Sequence, residues 1–156
     1  MILLVAGLLL VTTYRDTITG FWTAAQQDTV TVFVGSISFS VTVADSLEER
    51  RQGLSGTDPL PEFVGKLFIF DTDAAHGMWM KDMNYALDIL WFDRERNLIH
   101  IEENVTPETY TRNRTIFKPN RPARYVLEIS AGTVNALNIT TADMLTLPAQ
   151  LLIDEK

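Results

Sequence analysis

The 156-residue chain contains no cysteine. Disulfides, thiolate metal ligands and a cysteine nucleophile are excluded together. Positive charge is also scarce: 13 Lys and Arg stand against 20 Asp and Glu, a formal net charge of −7. A nucleic-acid binder needs a concentrated basic face to displace counterions from phosphates, so no nucleic-acid partner is expected. No apolar run reaches the roughly 20 residues that cross a bilayer as a helix. The sequence has no Gly-x-Ser-x-Gly elbow, no P-loop, no Gly-rich dinucleotide fingerprint and no HExxH pair. With those motifs missing, no catalytic residue, metal ligand or cofactor is assigned.

What remains is the composition of a folded globule. At 46% hydrophobic and 21% charged it is too apolar for disorder, and it is long enough for one buried core. Residues 2–11, ILLVAGLLLV, are uninterrupted apolar residues followed by the polar TTYRDT. That length suits the apolar region of an export signal, about 7–15 residues, although no Lys or Arg precedes it. The expectation is a protein exported to, or anchored at, the cell envelope with a membrane tether through residues 2–11. Residues 1–25 would then be a signal or anchor segment and linker, and residues 29–150 a single domain.

From Thr29 the pattern becomes periodic. TVTVFV (29–34) and ISFSVTV (37–43) alternate apolar and polar residues around Gly35-Ser36, which predicts a hairpin. In ADSLEERRQG, Asp45 or Ser46 caps a short helix with Glu48 and Glu49 in its first turn and Gly53 as terminator. KLFIF (66–70), residues 76–81, LDILWF (87–92), 98–101, RYVLEIS (124–130) and DMLTL (143–147) read as further strands, and DTDAA as a turn. The proline-bearing stretch 104–123 reads as loop, and TVNALNI as one helical turn. The predicted fold is mainly β: a small β-barrel or sandwich of about seven strands with one or two short helices. Closure is favoured because so few strands would leave exposed edges.

The densest mixture of unlike residues is HGMWMKDMNYALDILWFD (76–93). With EERRQGL (48–54), LFIF (67–70) and PARYVLEISAG (122–132), it resembles the DUF192 (UPF0127) family of small bacterial and archaeal proteins. The likeness runs in order over nearly all of residues 30–147. It implies one compact β-rich domain and supports an N-terminal signal or anchor, but it assigns no function. Two positions depart from the family pattern: Ala86 stands where Pro is usual before Leu-Asp-Ile, and Asp82 where Asn is usual.

Polar groups set among large aromatics point to a pocket wall, since buried polar atoms need partners. In an extended strand Trp79 and Lys81 share one face while Met78 and Met80 pack on the other. His76, Trp79, Lys81, Asp88 and Arg124 are therefore the candidate ligand-binding residues. Asp88 and Glu128 interrupt apolar strands and must be paired if they face inward. A structural ion pair such as Arg50 to Asp88 is one reading, and a carboxylate pair for glycoside hydrolysis is another. The leading functional expectation is an envelope-associated domain that binds a small molecule or saccharide. The alternatives are a carbohydrate-directed hydrolase using Asp88 and Glu128, and a structural or protein-interaction module.

Overall fold

The computed structural model describes residues 28–152, so the apolar run 2–11 and the linker lie outside the described residues. Seven strands, β1 (Thr29–Val34), β2 (Ile37–Ala44), β3 (Val64–Ala74), β4 (Leu87–Phe92), β5 (Leu98–Val105), β6 (Ala123–Ser130) and β7 (Leu145–Thr146), form one mixed sheet. The order is β5-β4-β6-β3-β2-β1-β7, and only the β2–β3 pair is parallel. The sheet curls into a half-barrel. A single bridge between Asn97 and Met144 brings its two ends together at one rim. Among the described residues three short α-helices accompany the sheet, α1 (Leu47–Gln52), α2 (Glu108–Asn113) and α3 (Thr133–Leu137), with a 3-10 turn at Ala149–Leu151.

Alternation along the strands divides the apolar residues between two faces. The concave face takes side chains from all seven strands, among them Val32, Phe39, Leu67, Phe92, Leu98, Leu127 and Leu145. The convex face carries Phe68, Ile89, Trp91 and Val126 beneath Leu54, Met78, Met80 and Met83. All six residues of β4 are buried, so this strand lies between two cores. The cover over the convex face is largely irregular backbone. Residues 76–81, expected as a strand, contribute only the bridge Met78–Phe117, although Met78 and Met80 are buried as the alternation required. The indole of fully buried Trp91 donates to the His76 carbonyl oxygen at 2.9 Å and fastens this cover to the sheet.

The predicted turn at 71–75 is instead the far end of β3. The strand runs on to Ala74 past a bulge between Ile69 and Ala74. Stretch 104–123 is built around α2 and the Phe117 bridge rather than left as loop. At Asp82 the backbone has φ 56°, a left-handed conformation that Asn and Asp tolerate better than other side chains, so the departure from Asn keeps the turn.

Asp88 does not pair with Arg50. Its side chain is fully buried on the concave side, and its carboxyl oxygens accept from three backbone amides. These are Asn104 at 2.8 Å, Gly132 at 3.1 Å and Val134 at 2.8 Å. Gly132 and Val134 open α3, whose first amides have no partner within the helix, so a strand residue caps a helix distant in sequence. Gly132 is needed for its φ of 83°, since a Cβ there would meet nothing closer than 4.0 Å. Replacing Asp88 with Ala leaves three amides without their acceptor and should lower unfolding stability by about 3 kcal/mol in urea titrations. A loss under about 1 kcal/mol would contradict this assignment.

Candidate functional site

The cover leaves a gap on the convex face. Helix α1 follows β2 with a complete capping box. Ser46 accepts from the Glu49 amide, and the Glu49 carboxylate accepts from the Ser46 amide at 3.0 Å. The Ser46 hydroxyl and the Ser46 and Asp45 amides, all donating to it, hold the Glu49 carboxyl down at about 2. The helix ends at Gly53, whose φ of 51° turns the chain over Phe68. Ser55 then donates to the Lys81 carbonyl oxygen at 2.8 Å, and the Gly56 amide donates to that of Asp82 at 2.9 Å. These bonds tie the turn after α1 to segment 76–83, and a cavity of about 340 Å³ lies between them.

Two arginines shape the third wall, the β3 bulge. Arg50 donates to the Ile69 carbonyl oxygen at 2.8 Å, to that of Asp45, and to the Asp71 carboxylate at 3.1 Å. Arg124 donates to the carbonyl oxygens of Phe70 at 3.1 Å and Asp71 at 2.7 Å, and to the Asp73 carboxylate at 2.6 Å. The carbonyls freed by the bulge are thus satisfied by guanidinium groups. Phe70 is held facing the cavity, with its ring stacked on His76 at 3.6 Å between centroids and the Arg50 guanidinium 5.4 Å from it. His76 Nε2 lies 2.7 Å from the Thr72 carbonyl oxygen, which can only accept, so Nε2 carries the proton.

At the floor are Phe68 and Glu128. Glu128 points to the convex face from β6, beside Ile89 of β4 and Lys66 of β3 in the ladder. It is 4% exposed, and among the described residues no hydrogen bond reaches its carboxyl group. Burial pushes this carboxyl up to about 8, against the opposing pull of Lys66. The Lys66 ammonium is itself pushed down by burial. Its Nζ reaches away from the cavity to Thr42 Oγ1 at 3.4 Å.

A model of the family DUF192, described as Uncharacterized ACR, COG1430, matches residues 30–147. The chain belongs to the DUF192 family. No curated protein matches it significantly. Among solved structures, a Sinorhizobium meliloti 1021 protein described as a "putative transcription regulator" is 28% identical with a TM-score of 0.70, and the match covers 76% of this chain and 93% of that one. A Novosphingobium aromaticivorans DSM 12444 protein of unknown function is 23% identical with a TM-score of 0.72, covering 81% and 90% respectively. That second likeness shows the fold alone.

The blocks that carry the DUF192 resemblance surround the cavity, but the residues expected in it divide. His76 and Trp79 line it, the latter 39% exposed. Lys81 is exposed and leans on Asp82 at 3.6 Å, away from the lining. Arg124 clamps the bulge from behind, and Asp88 lies on the opposite face of the sheet. Arg50, expected to pair with Asp88, lines the cavity and pairs with Asp71. The register sets Asp88 opposite Ile129 and Glu128 opposite Ile89, so the two carboxyl groups project to opposite faces and cannot converge on one glycosidic bond. Among the described residues no three His, Asp or Glu side chains are grouped to hold a metal ion.

Glu128 gives the domain a signed pH dependence. Its carboxyl titrates near 4.5 when unfolded and near 8 when folded, so folding takes up a proton between those values. Its contribution is greatest below pH 4.5, declines as pH rises, and levels off above about 8. Glu128→Gln should remove that decline and be more stable than the parent at alkaline pH, by on the order of 4 kcal/mol. Urea unfolding near pH 5 and above pH 8 checks this. Parallel pH profiles for parent and variant would refute it.

Proposed function

We propose that this DUF192 domain binds a small molecule in the cavity between α1 and segment 76–83. The observation that carries the reading is Glu128, a carboxyl group buried at the cavity floor with no hydrogen bond of its own. Among the described residues no fully buried side-chain oxygen lacks a hydrogen-bond partner, so the unbonded Glu128 carboxyl opens onto the cavity instead of lying sealed in the core. The volume of about 340 Å³ falls within the usual range of ligand pockets, and the arginine-clamped bulge and tied turn pre-form its walls. Leu47, Leu54, Phe68, Met78, Trp79 and Met83 make the lining mainly apolar. A saccharide, which needs many hydrogen bonds, fits such walls less well than a compact ligand with an apolar body.

The description of the Sinorhizobium protein does not extend to this reading, because a chain of net charge −7 offers little to a phosphate backbone. We also propose that the domain works at the cell envelope. The support is the apolar run 2–11 followed by the polar TTYRDT.

Thermal-shift screening of the folded domain against a small-molecule library should find compounds that raise the melting temperature by several degrees near 100 times their Kd. Trp79→Ala should weaken them at least about tenfold while leaving the unliganded melting temperature nearly unchanged. If no compound stabilises the domain, the ligand-binding reading fails. For location, fractionation of the full chain should recover it with membranes or outside the cytoplasm, and deletion of residues 2–25 should return it to the cytosol. Recovery of the full chain in the cytosol would refute the tether.

A further inference from the structure

Most of the cavity wall is carbon, and its most buried polar group is an acid. Glu128 is 4% exposed and unbonded, while Arg50 is committed to Asp71 and to backbone carbonyls. An ionised carboxyl offers about four acceptor sites and no donor, so its complement is a group rich in N–H donors. Trp79 and Phe68 add aromatic rings at the same cavity, and such faces attract organic cations. We propose that the cavity takes a primary organic ammonium compound with a compact apolar body, its ammonium group donating to the Glu128 carboxyl. The inference rests on the ligand-binding reading of this cavity and names the class of ligand.

The charges around Glu128 come from several elements. Lys66 on β3 is its ladder neighbour, with Nζ directed to Thr42. Tyr85, in the loop before β4, feels the Glu128 charge, and its hydroxyl is engaged with Thr57 at 2.7 Å. Arg50 and Arg51 on α1, Asp71 on the bulge and His76 line the cavity. Arg50 is offset by Asp71, and the His76 Nε2 proton is held by Thr72. None of these groups hydrogen-bonds the acid, so its acceptor positions are open to a ligand ammonium, although the Lys66 charge still acts on it. With the carboxyl titrating near 8, the unliganded acid is mainly protonated at neutral pH. Binding then ionises it: the carboxyl proton leaves to solvent and the ligand cation replaces it as the charge partner.

Benzylamine, benzyl alcohol and benzoate share a ring and differ in the head group, which makes them a direct test by titration calorimetry on the full chain. Benzylamine should bind at least about tenfold tighter than either analogue, strengthen about tenfold from pH 6 to pH 7, and level off above pH 8. The enthalpy measured in buffers of different ionisation heat should show close to one proton released on binding at pH 7. Glu128→Gln should bring benzylamine to the level of the alcohol and abolish its pH dependence. Proton release is read on the unaltered protein, so the test survives a variant that folds poorly. If benzyl alcohol or benzoate binds as well as benzylamine, or no proton is released, the ammonium assignment is overturned while the cavity remains a binding site. If none of the three binds, the assignment is overturned too. The fate of the broader reading then rests on the thermal-shift screen.

Discussion

Burial of the central strands on both faces is the constraint from which the rest of the molecule follows. All of β4 and five consecutive residues of β6 are buried, so the half-barrel cannot stand with its convex side in water. Something must lie over Phe68, Ile89, Trp91 and Val126. This chain supplies one short helix and an irregular segment instead of a second sheet. Irregular backbone must find its own hydrogen-bond partners, which is why the cover is held by side chains: Trp91 on the His76 carbonyl, Ser55 on Lys81, and Arg50 and Arg124 on the bulge. Two pieces joined at separate points do not close completely. The remaining gap is the cavity.

The split between what the sequence discloses and what it conceals has a physical basis. Alternation with a two-residue glycine turn identified β1 and β2, because one face of each is buried and period two is then enforced. The helix start was legible from Asp45 or Ser46 ahead of Glu48 and Glu49, since capping is local, and in the structure Ser46 is the cap, in a capping box with Glu49. Of the residues that the polar and aromatic mixture singled out, His76 and Trp79 lie at the cavity, while Lys81, Asp88 and Arg124 do not. Long-range pairing was the opaque part. The partners of Asp88 are backbone amides, which carry no residue-type signal, so a search among Arg and Lys could not find them. A similar limit hid Glu128. Its opposition to Asp88 depends on the β4–β6 register, and each alone looks like a carboxylate in an apolar strand. The extension of β3 past its bulge was also concealed, because Asp71, Thr72 and Asp73 have turn composition and are held in place by distant arginines.

The similar solved structures agree with this division. At 28% and 23% identity they keep the fold over nine-tenths of their own lengths, as expected when apolar patterning and register carry the architecture. Shared architecture of this kind does not by itself carry a function.

The smallest strand has a temporal consequence. β7 is two residues long, yet Leu145 donates its amide to the Arg96 carbonyl oxygen and the Gly35 amide donates to Met144, so this one segment meets both ends of the sheet. It is also the last of the seven strands in chain order. While the polypeptide is being synthesised, the concave face made by the first six strands has no seam until residues near 145 have emerged. The nascent domain therefore spends nearly all of its synthesis with that apolar lining open to water, where a holding chaperone would meet it.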